Sequence, residues 1–315
     1  MLEAELIDWL LAGDVAVQMQ VQRDLLQAPE QIWRPLQARI AEEGWGAAYL
    51  AAMHPQGYWG RGYYQPKWTS THYTLLDLCN LGFPPQTEPV RTIAAEVFER
   101  FKGPDGGINP ALVRQSDVCI NGMALKFGAY FGAPQGGFES VVDFILSQCM
   151  PDGGFNCQLN RKGAVHSSLH TSLSVIEGIQ TYLQCGYSYR AEALQAARQS
   201  AVAFILEHKL FQSHRTGAVI DPKMLRLTYP SRWRFDILRA LDTFREGGVA
   251  YDERMQPALD VLAGKRQADG TWRLQAAHPG AVHFYMEAAG KPSRWITLQA
   301  LRVMAAYAPQ RADAA

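Results

Sequence analysis

The chain has 315 residues, 48% of them hydrophobic and 19% charged, with 30 Lys+Arg against 30 Asp+Glu. That length suits a large core in one domain or two, and the balanced charge leaves no basic excess to collect nucleic acid or anionic lipid. No apolar run is long enough to span a bilayer, and five scattered cysteines point to reduced thiols in a cytoplasmic setting rather than to a disulfide framework.

The first stretch, MLEAELIDWLLAGD, mixes acids with apolar residues and does not read as a signal peptide. DVAVQMQVQRDLL and WRPLQARI follow as amphipathic helices. Residues 1–50 are therefore expected to form helices that pack on the body of the protein, over residues 51–310.

From there a short turn signature recurs: PQGYW at 55–59, PDGGI at 104–108, PDGGF at 151–155 and ADGTW at 268–272, with a degenerate copy in HRTGAVI at 214–220. Each places an acid or amide before Gly and then an apolar residue, the composition of a tight turn that re-enters a core. Helical patterns precede several copies: PVRTIAAEVFERFK, SVVDFILSQC and ALDVLAGKRQ. After each copy comes a polar loop and a second, more apolar helix. These are STHYTLLDLCNLG, SDVCINGMALKFGAYFG, SLHTSLSVIEGIQTYLQCG, PSRWRFDILRALDTF and PSRWITLQALRVMAAY. Ser, Thr or Asp opens many of them, as helix caps do. A spacing of about 45–65 residues marks a repeat array, and no strand alternation appears.

Helices apolar nearly all round want burial on both sides. The pattern predicts an all-α fold, an α/α toroid with apolar helices inside and amphipathic helices outside; the helices before residue 55 can help close the ring. An open solenoid is the alternative. In the toroid the inner helices run parallel, and their N-termini meet at one mouth.

Asp117, Cys119 and His170 stand at the starts of inner helices in adjacent units, so all three are expected at that mouth. An oxygen, a sulfur and a nitrogen donor with a fourth position open suit a catalytic Zn²⁺. The plainer reading keeps Asp117 as a helix cap, Cys119 as a packed thiol and His170 as a hydrogen-bonded cap residue. Cys157 ranks as a further ligand below Cys119. PSRW occurs at 230–233 and 292–295, and PKWTS at 66–70 is similar. Arg232 and Arg294 are candidates to meet an anion at helix starts, and Trp68, Trp233 and Trp295 to wall a pocket; Arg232 paired with Asp236, and tryptophans packed between repeats, is the structural alternative. His166 and His283, in two GAVH loops, are further candidates for the mouth. PDGG lacks a phosphate-loop pattern, and GxSxG is missing.

The DG turns and their preceding helices resemble the repeats of squalene–hopene cyclases and protein prenyltransferase β subunits. DVCING, with FILSQCMPDGGF and LHTSLSVIEG one unit later, resembles the prenyltransferase β subunits over residues 90–185. The resemblance implies an α/α toroid with an apolar cavity for an isoprenoid, zinc on Asp117, Cys119 and His170, prenyl transfer to a thiol, and a helical partner subunit. It also places Arg114 and His72 toward the diphosphate. Ile120 stands where that family usually carries Tyr, and the DxDD acid motif of the cyclases is absent. Two other readings stay open: a zinc-dependent hydrolase or hydratase, with Glu177 as a conceivable base, and a non-catalytic lipid-binding or interaction module.

Overall fold

The computed structural model describes residues 4–110, 114–157 and 163–307. All regular secondary structure among them is helical, and the fold is an α/α toroid. The inner ring consists of α2 (Val15–Gln20, continued by a π turn Val21–Leu25), α5 (Thr71–Leu81), α7 (Val118–Tyr130), α9 (Leu169–Gln184), α11 (Ile237–Glu246) and α13 (Arg294–Tyr307). Outside them lie α3 (Glu30–Arg39), α4 (Gly44–Ala51), α6 (Val90–Arg100), α8 (Gln135–Ser147), α10 (Ala191–Glu207) and α12 (Gln256–Gly264), with α1 (Ala4–Leu11) beside α13 and α2.

The N-terminal segment closes the ring. Arg302 of α13 donates to Gln20 at 2.8 Å and to Asp24 at 2.7 Å, and Gln20 donates in turn to the carbonyls of Asn80 and Leu81 at the end of α5. Residues before 50 thus supply one inner helix of the barrel.

Each repeat is stitched by the same device. The glycine of every turn copy has a positive φ: Gly57 78°, Gly106 82°, Gly153 92°, Gly217 71° and Gly270 83°. A residue with a Cβ is strained there, which is why the signature centres on Gly. In four copies the apolar residue after the turn is buried, and its backbone N–H is accepted by a polar side chain of the next inner helix. Trp59 N–H donates to Thr71 Oγ1 (3.0 Å), Ile108 to Asn121 Oδ1 (2.6 Å), Phe155 to Ser172 Oγ (3.0 Å) and Trp272 to Thr297 Oγ1 (2.9 Å). In two copies the turn aspartate also holds the serine just before the inner helix: Asp105 accepts from Ser116 N–H at 2.7 Å, and Asp152 from Ser167 N–H at 2.8 Å. The buried polar residues on otherwise apolar helices therefore serve the turns, since a buried N–H left without a partner is costly.

Helices α7 and α9 approach more closely than side chains normally allow. A Cβ on Gly178 would lie 2.2 Å from the Gly122 carbonyl oxygen, and a Cβ on Gly122 would lie 2.6 Å from that of Ser174. The obstacle is backbone, so nothing can rotate away.

PSRW appears in two conformations. At 292–295 it opens an inner helix as expected, Ser293 Oγ accepting from Ile296 N–H at 3.0 Å. At 230–233 it does not. Asp236 takes the cap of α11, accepting from Arg239 N–H at 2.9 Å, and the helix begins only at Ile237. Residues 228–235 instead enter the barrel as a plug. Arg232, in the left-handed region at φ 59°, pairs with the buried Asp77 of α5, and Tyr229 stacks on Trp295 with ring centroids 4.5 Å apart.

Two substitutions test this architecture. Gly178→Ala is expected to lower stability by about 3 kcal/mol or more through backbone clash, and Thr297→Val by about 1–3 kcal/mol through the orphaned Trp272 N–H. Denaturant unfolding of both variants provides the measurement.

Candidate active site at the loop-side mouth

The first turn of α7 and the turn after Phe155 bring two cysteines together. Cys157 Sγ accepts from the Cys119 backbone N–H at 3.1 Å and from the Thr171 hydroxyl at 3.6 Å, and the Cys119 thiol lies near enough to influence its ionisation. Those groups lower the Cys157 pKa from its ordinary value, the Cys119 thiol first, against the opposing effect of burial. Cys119 moves the other way, raised by neighbouring Cys157, by burial and by nearby Asp117. A thiolate formed on Cys157 would be stabilised by these donors and by the N-terminus of α7. Asp117 holds the N-cap position with extended backbone, φ −85° and ψ 123°, yet its side chain makes no cap hydrogen bond. It does not serve as a cap in the usual sense.

From this pair the mouth wall continues through aromatic rings. Tyr64, whose ionisation is opposed by burial and then by the Cys119, Asp117 and Cys157 charges, meets the Tyr73 hydroxyl at 3.2 Å. Tyr73 packs edge-on against Trp68, with ring centroids 4.9 Å apart. Lys67 lies over both Trp68 and Trp233, 5.6 and 5.7 Å from their centroids. Trp233 meets the His170 ring at 5.3 Å. Beyond it a cleft of about 230 Å³ is lined by His170, Asp221, Lys223, Arg226, Arg234 and His278.

His170 is where the expected metal set comes apart. Its Nδ1 accepts the Phe235 backbone N–H at 2.7 Å. A neutral ring that accepts at Nδ1 carries its proton on Nε2, and a protonated nitrogen does not bind a metal. Burial, and then Arg239 and Arg234, hold its pKa at about 4, so the ring stays neutral. Among the described residues no three His, Cys, Asp or Glu side chains gather to hold a metal ion. As placed, Asp117, Cys119 and His170 do not fit zinc. Asp117 and Cys119 gather around Cys157, the residue ranked lower from the sequence.

Other expected site residues lie elsewhere. His72 is wholly buried beneath the mouth: its Nδ1 meets the Tyr63 hydroxyl at 2.8 Å, and burial holds its pKa at about 3. Arg232 faces neither an anion at the mouth nor Asp236, because Asp77 claims it inside the barrel. Trp295 is buried against Tyr229 and Trp45. Arg294 turns outward onto α1, donating to the Trp9 carbonyl at 2.8 Å and lying over its ring. Arg114 is exposed. His166 is also exposed, and His283 meets Thr74 Oγ1 at 3.1 Å. Trp68 and Trp233 lie on either side of Lys67, with Trp233 beside the His170 ring. Glu177 is excluded as a base. It accepts from Arg239, Lys126 and Thr243, and those cations hold its pKa down at about 2 despite burial.

The sequence contained no signal for His278 or Lys223, which belong to no motif, and Arg234, directly after PSRW, was not singled out. Cys157 did carry one, two residues beyond a turn signature that leads into an inner helix.

No family model matches the chain, and no curated protein matches it. Among solved structures it is similar to a glycosyl hydrolase family 88 protein from Bacteroides vulgatus, with a TM-score of 0.50 and 13% identity over 93% of this chain and 89% of that one. At that identity the likeness establishes the toroid fold and nothing finer. No described helix is long and apolar enough to cross a membrane.

One buried and two half-buried histidines set a pH dependence. His72, His170 and His278 have pKa values of about 3, 4 and 4, each lowered chiefly by burial from an ordinary 6.5. Between pH 6.5 and 4 the unfolded chain binds protons that the folded chain refuses, so stability falls as pH falls. Asp236, raised to about 6 by burial, acts in the opposite direction, as do Asp14, Asp77 and Glu287, also raised by burial; His283, lowered by burial, and the lowered carboxylates Asp24 and Glu177 act with the three histidines. Melting temperature is therefore expected to decrease steadily from pH 6.5 to 4.5, and His278→Gln to flatten that slope.

Proposed function

We propose that the chain is an enzyme working at the loop-side mouth of the toroid, with the Cys157 thiolate, supported by Cys119, as its nucleophile. The observation that carries this reading is the convergence of a backbone N–H and a hydroxyl on one sulfur, with a second thiol beside it. A merely packed cysteine needs no such reception. The thiolate would attack an electrophilic carbon of a substrate held along Tyr64, Trp68 and Trp233, the leaving group departing with its bonding electron pair, and an acceptor or water would then take the carbon and free the sulfur, giving transfer or hydrolysis. Lys67, Lys223, Arg226 and Arg234 favour a substrate with an anionic group, and the aromatic faces favour one with a flat or apolar portion. A charged saccharide has this character, and the similar solved structure is a glycosyl hydrolase. An isoprenoid chain fits less well. It would need apolar depth behind the mouth, and there the plug carries Arg232 and the barrel interior carries Glu177, Arg239 and Lys126.

Zinc-dependent chemistry remains as the second reading, favoured by two neighbouring thiols close to the Asp117 carboxylate. In that case Cys119 and Cys157 would be its sulfur ligands, which the ion would keep deprotonated while acting as a Lewis acid, and Asp117 would join them only by turning its side chain from its present position. His170 would not take part.

The thiolate reading is tested by alkylation with iodoacetamide at pH 6, mapped by mass spectrometry. Cys157 is expected to react several-fold faster than the more exposed Cys149 and Cys185, and Thr171→Val to slow it. Equal rates at all three cysteines would refute a stabilised thiolate. Elemental analysis separates the readings: equimolar zinc that is lost in Cys157→Ser and kept in His170→Gln would establish the metal.

A further inference from the structure

Below the plug lies a second compartment that the mouth chemistry does not use. It has a volume of about 240 Å³ and runs along the C-terminal halves of the inner helices. Its ceiling is the plug, through Tyr229, Ser231 and Arg232, and its outer end borders Gln184 and the exposed Cys185. This chamber is strongly polar. Arg and Lys side chains outnumber carboxylates six to three along its wall. Counting Asp24 and Asp77, which bond Arg302 and Arg232 from behind the wall, still leaves one cation in excess.

The carboxylates do not exhaust the donors. Three polar atoms on residues bordering the chamber have no hydrogen-bond partner among the described residues: Tyr229 Oη, Trp295 Nε1 and Arg302 Nε. Their residues are only 7%, 2% and 7% exposed. Buried donors are seldom left unmet, because each costs the desolvation of the group. All three can give a hydrogen bond, and two of them, Trp295 Nε1 and Arg302 Nε, have nothing to accept with. A complementary molecule must therefore present acceptors, preferably negative ones.

We propose that this chamber is a binding site for a small oxyanion, a carboxylate or phosphate compound no larger than a hexose acid, distinct from the substrate site at the mouth. Such a molecule balances the cationic excess and meets the unmatched donors on a small shift of their side chains, since each of these atoms is sealed from solvent. It also sits directly beneath Arg232, whose guanidinium lies 5.7 Å from the Trp68 ring at the mouth. Occupancy would brace the plug from below.

The test is isothermal titration calorimetry and thermal shift on the full chain with three probes: citrate, glucuronate and inorganic phosphate. At least one is expected to bind saturably at millimolar concentration or below and to raise the melting temperature. The probe that binds tells a carboxylate ligand from a phosphate one. Tyr229→Phe removes an unmet hydroxyl, so it is expected to leave the free protein as stable as before while weakening the probe about tenfold. Arg245→Gln, at the rim, is expected to weaken it several-fold, and Arg234→Gln, at the mouth, to leave it unchanged. Absence of saturable binding for all three probes would mean that water alone satisfies the donors and would overturn the proposal. Binding that Arg234→Gln abolishes and Tyr229→Phe leaves intact would overturn it too, by placing the anion at the mouth.

Discussion

A single buried ion pair divides the interior of this toroid. Arg232 reaches from the plug to Asp77 on α5, and Asp77 also accepts from the Tyr49 hydroxyl at 2.6 Å. Both charges are withdrawn from water, a state that persists only while each has the other. The pair holds residues 228–235 across the barrel and so creates two compartments from what would otherwise be one channel. Trp233, Arg234 and Phe235 lie on the mouth side, where Phe235 N–H fixes the His170 ring. Tyr229 and Arg232 face the charged chamber below.

The thiol site rests on a second constraint, the contact between α7 and α9. Glycine at 122 and 178 lets the two backbones meet without side chains between them. Cys119 at the start of α7 is thereby brought beside Thr171 at the start of α9, with Cys157 from the intervening turn seated between them. Adding one methylene-sized group would wedge the helices apart and pull the hydrogen-bonding groups off the sulfur. Packing in the middle of two helices thus governs chemistry at their ends.

Much of the fold was legible because its signals are local. A turn that needs positive φ requires Gly, and a buried N–H behind it requires a hydroxyl or amide on the next helix; both leave marks in the chain at a fixed period. The site was legible only in part. Asp117, Cys119 and His170 were rightly placed at inner helix starts, but the side to which each side chain turns depends on neighbours distant in sequence. His170 turns to a backbone N–H 65 residues away. Glu177 looked like a spare acid, yet Arg239 and Lys126 from flanking helices neutralise it. Cys157 was undervalued because nothing in the turn itself shows that its sulfur sits over the first turn of α7.

The two PSRW segments mark the boundary between what the chain dictates by itself and what the assembled barrel adds. Sequence alone determined the repeat, the alternation of apolar and amphipathic helices and the glycine turns, since these follow from periodicity and backbone sterics within a few residues. Tertiary structure decided that one PSRW opens a helix while the other enters the barrel. Asp236 offers a later cap, and Asp77 offers Arg232 a buried counter-charge 155 positions earlier in the chain. A desolvated cation goes where its partner is, and only the closed ring places that partner within reach.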